Sequence, residues 1–186
     1  MAESKITAVL KDMQFTFSTG SGVFSKSGID KGTQILIQFA QVPEQGALLD
    51  LGCGYGPVGI VMKKIHPDLE VVCSDINERA VFLAKKNAAS NRVEVKTRQS
   101  DGFEKIKGMF DCILLNPPQT AGKKICQKLM ADSFEHLSKG GTLQIVARHN
   151  KGGKALSEFM QDVFGNMAVV KIKSGYRVYI SKKEEE

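Results

Sequence analysis

A chain of 186 residues with 42% hydrophobic and 25% charged residues is long enough for one globular domain and is not expected to be disordered. It has no apolar run approaching the roughly 20 residues of a membrane span, and its first residues lack the apolar core of a signal peptide, so we expect a cytoplasmic protein without a membrane partner. A net charge of +6 favours an anionic partner such as RNA.

The N-terminal part of the chain combines a strand pattern with a glycine-containing loop. Residues 5–10 and 13–18 are predicted as two short strands, since polar and apolar residues alternate along the second of them. In the loop that follows, Phe24 is either a core residue or a residue that covers a ligand. Asp30 is placed to cap a helix that ends at Phe39, because its side chain can accept a backbone N–H of the first turn.

Apolar strands and helices then alternate along the rest of the chain. The predicted strands cover residues 48–51, 71–75, 93–97, 110–115, 142–147, 168–173 and 176–181, and the predicted helices cover 58–65, 78–90, 123–137 and 154–164. This alternation predicts an α/β fold with a mostly parallel sheet covered by helices on both faces. Because only two residues join the last two strands, the final strand must be antiparallel.

The strand at 48–51 ends in a glycine-rich turn that runs from Asp50 to Gly56, and Pro57 then suits the first turn of a helix. Such a turn lets a ligand approach the backbone, although it can equally be a tight connection. Its G-x-G-x-G spacing differs from the G-x-G-x-x-G of dinucleotide-binding folds, which argues against an NAD-linked oxidoreductase. The next strand ends at Asp75, which is placed to bind the two hydroxyls of a ribose. The glycine-rich turn and Asp75 together predict a cofactor that contains a nucleoside.

The fourth strand of the alternating part ends in Asn116-Pro117-Pro118-Gln119. The two prolines restrict the backbone, so the Asn116 side-chain oxygen and the Pro117 carbonyl can be held as paired acceptors. Two acceptors suit an exocyclic NH₂ group, and hydrogen-bonding both of its N–H groups would aim the nitrogen lone pair at an electrophile. The alternative interpretation is a rigid exit from the strand. Asp101, at the end of the third strand, is either a turn residue or part of the same crevice.

Cysteine and histidine give no indication of a metal site. The four cysteines are far apart, with no C-x-x-C and no histidine at ligand spacing; they are Cys53, Cys73, Cys112 and Cys126. We expect them to be small buried side chains in a reducing compartment. His66 and His149 have no evident partner and are expected to be structural or surface residues.

Three segments together resemble the class I S-adenosylmethionine-dependent methyltransferases: Leu49 to Gly56, Asp75 to Ala80, and Asn116-Pro117-Pro118. More narrowly, Gly22-Val23-Phe24-Ser25, Ile29-Asp30-Lys31-Gly32-Thr33 and Ala121-Gly122-Lys123 resemble the small methyltransferase domain of the small-subunit ribosomal RNA guanine-N2 methyltransferases. The similarity runs from about Phe15 to Ile180. It implies a Rossmann-like fold with a seven-stranded sheet and an accessory N-terminal strand pair.

The resemblance also implies a cofactor, S-adenosylmethionine, and a site for it. The glycines would border the methionine part, Asp75 would bind the ribose, and Asp101 would lie by the adenine amine. The expected cofactor-binding residues are Asp50, Gly52, Cys53, Gly54, Gly56, Asp75, Ile76, Asp101, Gly102 and Asn116. The expected catalytic residues, which would receive the target amine, are Asn116, Pro117, Pro118 and Gln119.

The implied reaction is N-methylation of guanine-N2 in ribosomal RNA, with ribosomal RNA or a ribosomal subunit as partner. The alternatives are methylation of a protein glutamine amide and a catalytically inactive subunit that binds the cofactor for a partner. Candidate substrate contacts are Phe24, Lys123, Lys124, Arg148 and Lys151, although the cations are equally well interpreted as solvated helix starts.

Two departures from the family pattern affect substrate recognition. The family usually has an aromatic residue after the second proline, where this chain has Gln119, so base stacking would have to come from Phe24 or another ring. The bacterial enzymes also carry an additional N-terminal domain, which we do not expect in this chain. We expect a single domain: a strand pair and loop packed on the core (1–28), the methyltransferase domain (29–183) and a frayed tail (184–186).

Overall fold

The computed structural model describes residues 3–23 and 28–184. Its strands are β1 (Glu3–Leu10), β2 (Met13–Gly20), β3 (Gln45–Leu51), β4 (Asp68–Asp75), β5 (Lys96–Gln99), β6 (Phe110–Leu115), β7 (Leu137–Arg148), β8 (Ala168–Lys173) and β9 (Tyr176–Lys182). Its α-helices are α1 (Lys31–Phe39), α2 (Pro57–Ile65), α3 (Glu78–Ser90), α4 (Lys123–Glu135) and α5 (Lys154–Phe164). In these described residues, no helix is long and apolar enough to cross a membrane.

Seven strands form one sheet in the order β5-β4-β3-β6-β7-β9-β8. The pairs from β5 to β7 are parallel, and β9 runs antiparallel to both β7 and β8. Ser174 and Gly175 join β8 to β9 with positive φ angles of 53° and 80°, as a tight hairpin turn requires. The predicted α/β fold, with its antiparallel last strand and N-terminal strand pair, is confirmed.

Helices cover both faces of this sheet, so adjacent strand residues enter different cores. Leu48 and Leu114 are buried with the inner faces of α1, α2 and α3. Leu49 and Leu115 are buried with α4 and α5 on the other face. This accounts for the continuous apolar runs of the central strands, because both faces of each strand exclude water.

The N-terminal hairpin is attached to the main unit by Asn87 of α3 and by Asn91, the C-cap of that helix. The buried Asn87 accepts from the Ser18 N–H (2.6 Å) and donates to the Ser18 carbonyl (2.9 Å). One helical turn later, Asn91 makes the same pair of bonds with Thr16 (3.1 and 2.8 Å). Two asparagine amides thus pair with alternate residues of β2, as a neighbouring strand would. Phe15 and Phe17 are buried in the same core as α1 to α3.

Most predicted bounds agree with the structure, but the strand predicted at 93–97 is wrong. The observed strand, β5, begins at Lys96 and pairs with Val72–Asp75 of β4. The Val93 N–H instead bonds to the Ala88 carbonyl (3.0 Å), so this segment still completes the end of α3. Val93 and Val95 alternate with polar residues because they pack on the core from a loop. β7 also begins earlier than predicted, at Leu137, and its register against β6 shifts between Phe110 and Cys112.

Candidate active site

The glycine turn, Asp75 and Asn116 come together at one edge of the sheet. In the parallel pairs, Leu51 at the end of β3 lies opposite Ser74 of β4 and Leu115 of β6. The residues that directly follow these strands therefore meet in one crevice, as expected for an open α/β sheet.

The glycines of the turn have different surroundings. Gly52 and Gly54 have positive φ angles of 68° and 57°, and a Cβ atom on either would meet open space. At Gly56, the N-cap of α2, a Cβ would lie 2.9 Å from Ile60 Cδ1 and 3.1 Å from Ala84 Cβ. Gly52 and Gly54 thus border the crevice, whereas Gly56 lets α3 pack closely against the turn.

Asp75 is half-buried and its carboxylate is held in place. One oxygen accepts the Gly54 N–H (2.8 Å) and the other the Asn77 N–H (2.9 Å). Each carboxylate oxygen can accept a further hydrogen bond, so the group can still bind hydroxyls. Ile76 beside it is 62% exposed, which gives the crevice an apolar surface next to its acid.

Asp101 and Gly102 follow β5 on the same side of the sheet. The Ser100 N–H donates to the Asp75 carbonyl (3.0 Å), which keeps the two strand ends together. The Asp101 side chain is exposed, and Gly102 has a positive φ of 51° in the turn that follows. Their assignment to the cofactor stays a prediction.

Asp50 and Cys53 point into the protein. Asp50 is 3% exposed and accepts the Gly59 N–H (2.8 Å) in the first turn of α2. Burial raises the pKa of Asp50 to about 7; the Gly59 N–H opposes this shift, and the nearby Asp75 charge adds to it. The Cys53 side chain is buried in the core, and a hydrogen bond to Cys73, together with burial, raises its thiol pKa well above the usual value. Any contact of Cys53 with a cofactor would therefore be made by its backbone.

Sequence reasoning missed Gly59. A Cβ atom at this position would overlap Cys73 Sγ and lie 3.2 Å from Asp50 Oδ2. Glycine is required here for close packing of α2 on the sheet. The available signal was a glycine two residues after Pro57, inside the predicted helix, where glycine is otherwise unfavourable.

The Asn116 side chain is oriented by the N-terminus of α1. Its Nδ2 atom donates to Thr33 Oγ1 (3.1 Å) and to Asp30 Oδ2 (3.3 Å). Asp30 also accepts the Thr33 N–H (3.1 Å), which confirms it as the N-cap of α1. With both donors of Asn116 engaged, its Oδ1 has no hydrogen-bond partner within residues 3–23 and 28–184.

The Asn-Pro-Pro segment continues into a narrow turn. The buried Pro117 has a carbonyl that accepts the Gln119 N–H (2.8 Å), with Pro118 between them at φ −76° and ψ 72°. The second lone pair of this carbonyl is still available to a target amine. The Gln119 side chain is exposed and donates to the Lys151 carbonyl (2.9 Å), so it connects this turn to the segment after β7.

The candidate substrate contacts that the structure describes are exposed, and their role stays a prediction. The exposed cations are Lys123, Lys124, Arg148 and Lys151. Phe24 lies outside the described residues. His149 Nδ1 is 2.7 Å from the Tyr179 hydroxyl and His66 Nδ1 is 3.1 Å from Glu44, so both histidines have partners that the sequence did not indicate.

Tyr176, the first residue of β9, lies near Asn116, and sequence reasoning missed this as well. Its Cε1 atom lies 3.1 Å from the Cβ position of Gly32, and Asn116 Nδ2 lies 3.5 Å from the same point. The Arg148 guanidinium lies over its ring, 5.5 Å from the centroid. No local pattern could indicate this proximity, because it depends on the order of the strands in the sheet.

Other features do not add to this site. The four cysteines are free and buried, and no group of three or more potential metal ligands occurs in the described part of the chain. A surface cavity of about 460 Å³ lies at the opposite edge of the sheet, where residues 41–43 meet the amino-terminal ends of β6 and β7.

The fold and this crevice define a Rossmann-like methyltransferase, with a glycine turn, an acid and an Asn-Pro-Pro segment at the strand ends. Residues 14–180 match the family model described as methyltransferase small domain, and the chain belongs to that family. Methyltransferases of this family use S-adenosylmethionine, so the predicted cofactor is confirmed at the level of the family.

Two curated relatives and one solved structure are similar to this chain over most of its length. It is 40% identical to the uncharacterized protein YbxB of Bacillus subtilis over 94% of this chain and 89% of that protein. It is 35% identical to the ribosomal RNA small subunit methyltransferase C of Shewanella amazonensis, over 87% of this chain and 48% of that enzyme.

The fold is similar to the T. thermophilus 16S rRNA N2 G1207 methyltransferase (RsmC) in complex with AdoMet and guanosine. The TM-score is 0.86 with 22% identity, over 98% of this chain and 51% of that one. The chain thus spans most of YbxB but about half the length of the ribosomal RNA enzymes.

The crevice fits S-adenosylmethionine. Open space over Gly52 and Gly54 leaves room for an elongated ligand along the turn. The anchored Asp75 carboxylate is suited to ribose hydroxyls, and the exposed Ile76 to one face of an adenine ring. These residues would hold the cofactor next to Asn116.

Proposed function

We propose that this chain transfers a methyl group from S-adenosylmethionine to the exocyclic N2 amine of a guanine in ribosomal RNA, in the cytoplasm. The observation that carries the proposal is the orientation of Asn116. Its two amide donors are bound by Asp30 and Thr33, which leaves Oδ1 as the atom presented to an incoming group. An acceptor presented in this way is suited to an NH₂ group.

The reaction requires orientation and electrostatic stabilisation from the protein. S-adenosylmethionine, when bound, supplies an electrophilic methyl group. Asn116 Oδ1 and the Pro117 carbonyl would accept the two N–H groups of the amine and stabilise the positive charge that develops on its nitrogen. The nitrogen lone pair would bond to the methyl carbon as the carbon–sulfur bond breaks, with S-adenosylhomocysteine as the leaving group, and the nitrogen would then lose one proton to water. Asp30 and Thr33 prevent the Asn116 amide from rotating, so the acceptor is in place before the substrate binds.

RNA is favoured as substrate over a protein amide because of the charge on the rim of the crevice. Lys123 and Lys124 are exposed in the first turn of α4, and Arg148 and Lys151 are exposed after β7. Cations around an amine-binding crevice suit the phosphates of a structured RNA. The small-subunit ribosomal RNA enzymes among the relatives support the same substrate class.

The test is transfer of labelled methyl groups to ribosomal RNA, isolated ribosomal subunits and protein fractions in parallel, followed by mapping of the modified residue. Label in RNA at a guanine N2 is the expected result. Label in a glutamine amide would replace the RNA proposal with the protein alternative, and absence of label in every fraction would favour an inactive cofactor-binding subunit.

The role of Asn116 is tested by replacing it with alanine. We expect the affinity for S-adenosylmethionine to stay within a few-fold and single-turnover methyl transfer to fall by roughly a hundredfold, as for other preorganised polar contacts at a reacting centre. Gln14→Ala, at an exposed amide side chain of β2, is the control and should transfer normally. Near-normal transfer by Asn116→Ala would show that the Asn-Pro-Pro turn only supports the backbone.

A further inference from the structure

We propose that Tyr176 is a substrate-binding residue that holds the target purine by stacking, beside the Asn116 acceptor. The inference rests on the proposed function. It names the aromatic side chain on which the base would stack, since Gln119 stands where the family pattern has an aromatic residue. It concerns a residue of β9, far in the sequence from the Asn-Pro-Pro segment.

The sheet brings Tyr176 to the crevice. As the first residue of β9 it pairs with Arg148 at the end of β7 and with Lys173 at the end of β8. Because β9 is antiparallel, its first residue lies at the same edge as the last residues of the parallel strands. Two cationic residues are thus the strand neighbours of Tyr176, and one of them, Arg148, lies over its ring.

The ring is close to the group that would receive the amine. The Cβ position of Gly32 lies 3.1 Å from Tyr176 Cε1, 3.2 Å from Asp30 Oδ2 and 3.5 Å from Asn116 Nδ2. The ring, the N-cap carboxylate and the catalytic amide therefore surround a single point on the first turn of α1. The absence of a side chain at Gly32 is what allows this close approach.

The Tyr176 ring is half-buried against the core shared by α1 to α3, and its remaining face is the one that Arg148 covers. Arg148 is exposed, and its guanidinium lies over the ring at 5.5 Å. An exposed cation–π contact is weak compared with the stacking of a base on an aromatic side chain, so a base can displace the guanidinium. The displaced arginine would remain near the phosphate that follows that base. Tyr55, in the glycine turn, is 3% exposed and offers no such face.

Gln119 does not provide the alternative platform. Its side-chain amide is bound to the Lys151 carbonyl, and a Cβ at Gly152 would lie 3.0 Å from its Nε2 atom. The position that carries the aromatic residue in the family pattern thus serves here to connect two loops. A ring on β9 can take over the stacking function without any change in the Asn-Pro-Pro turn.

The test compares Tyr176→Leu and Tyr176→Phe with Phe82→Leu, which alters an exposed ring on α3. The binding probe is 2-aminopurine riboside, whose fluorescence is quenched by stacking, and it is added in the presence of S-adenosylhomocysteine. In a separate assay, KM and kcat are measured on the mapped RNA. We expect Tyr176→Leu to lose the quenching and raise KM at least about tenfold, with cofactor affinity within twofold of wild type. Tyr176→Phe should retain the quenching because it keeps the ring, and Phe82→Leu, outside the proposed site, should behave as wild type.

A wild-type enzyme that methylates RNA, together with a Tyr176→Leu variant of normal KM and quenching, would overturn the inference and leave the proposed function intact. Absence of transfer to RNA by the wild type would overturn both. If Tyr176→Leu folds poorly, photo-crosslinking of the wild-type protein with 6-thioguanosine decides the question. A crosslink in the peptide containing Tyr176 is expected, and a crosslink confined to other peptides would contradict the proposal.

Discussion

Asp50 and Asp75 lie at the ends of neighbouring strands, yet their carboxyl groups differ in exposure and in function. Asp75 is half-exposed and anchored by two backbone N–H groups, so it presents a fixed negative charge to the crevice. Asp50 is buried beneath the glycine turn and holds the first turn of α2 through Gly59. One acid is thus suited to bind a ligand and the other to support the turn.

Asp75→Ala should weaken S-adenosylmethionine binding by about 1.5–3 kcal/mol, the scale of a lost hydrogen bond to a charged group. Isothermal titration calorimetry on the folded variant measures this. Asp68→Ala, at the exposed other end of β4, is the matched control and should bind normally. Unchanged affinity in Asp75→Ala would exclude Asp75 as the ribose ligand.

The raised pKa of Asp50 predicts a pH-dependent stability. Folding raises this pKa from 3.8 to about 7, mainly by burial, so over this interval the native state retains a proton that the unfolded chain has released. The Asp50 contribution to the free energy of unfolding therefore falls as the pH rises from about 4 to about 7. Asp50→Asn cannot titrate and should not show this fall.

Urea unfolding of wild type and Asp50→Asn at pH 5 and pH 8 tests this prediction. From pH 5 to pH 8, the free energy of unfolding of the wild type should fall by on the order of 2–3 kcal/mol relative to that of Asp50→Asn. A difference that is the same at both pH values would mean that Asp50 is already ionised at pH 5.

Local sequence could predict the side chains at the ends of elements but not the contacts between distant ones. Asp30 was identifiable as an N-cap because a capping acid directly precedes its helix. Its second role, binding Asn116, joins residues 86 positions apart and leaves no local pattern. Tyr176 was missed for the same reason, since a tyrosine that opens a strand has the same local sequence whether or not it reaches the crevice.

At the level of elements, the docking of the hairpin depends on α3. Asn87→Ala would leave the Ser18 N–H and carbonyl and the Tyr55 carbonyl without their side-chain partner. We expect a loss of at least about 2 kcal/mol in the free energy of unfolding, because buried polar groups without partners are costly. Chemical denaturation measures it, with the half-buried Asn91→Ala expected to lose less. Equal and small losses in both variants would contradict this account.

The strand predicted at 93–97 shows where periodicity misleads. The V-x-V pattern of Val93 and Val95 marks two side chains on the core, but Arg92 has a positive φ of 56° and the chain is still leaving α3 at that point. Strand β5 carries no apolar residue of its own in Lys96–Gln99 and is defined by pairing with β4. Pairing between strands cannot be inferred from the composition of the edge strand.

For the molecule as a whole, the proposed RNA substrate predicts a salt-dependent affinity. The logarithm of the association constant for the mapped RNA should fall linearly with the logarithm of the salt concentration, because each phosphate contact releases counterions. Replacing Lys123 or Arg148 with alanine should reduce that slope by about one unit each. Lys85→Ala, on the exposed side of α3, is the control and should leave it unchanged. An affinity independent of salt would favour a protein substrate.

The global architecture followed from the sequence because alternation of apolar strands with helices permits few topologies. The position of β9 between β7 and β8, which places Tyr176 at the crevice, required the structure. The chain matches about half the length of the ribosomal RNA enzymes.

The asparagine pairs between α3 and β2 also determine which amide hydrogens report on the hairpin. The Thr16 and Ser18 N–H groups bond to Asn91 and Asn87 of α3, not to β1. Their exchange with deuterated water therefore requires separation of the hairpin from the helix, even while β1 and β2 remain paired. Exchange at these two positions would measure the free energy of docking, separately from that of unfolding the sheet. If cofactor binding stiffens the turn at Tyr55, whose carbonyl also bonds to Asn87, exchange at Ser18 should slow when S-adenosylmethionine is added.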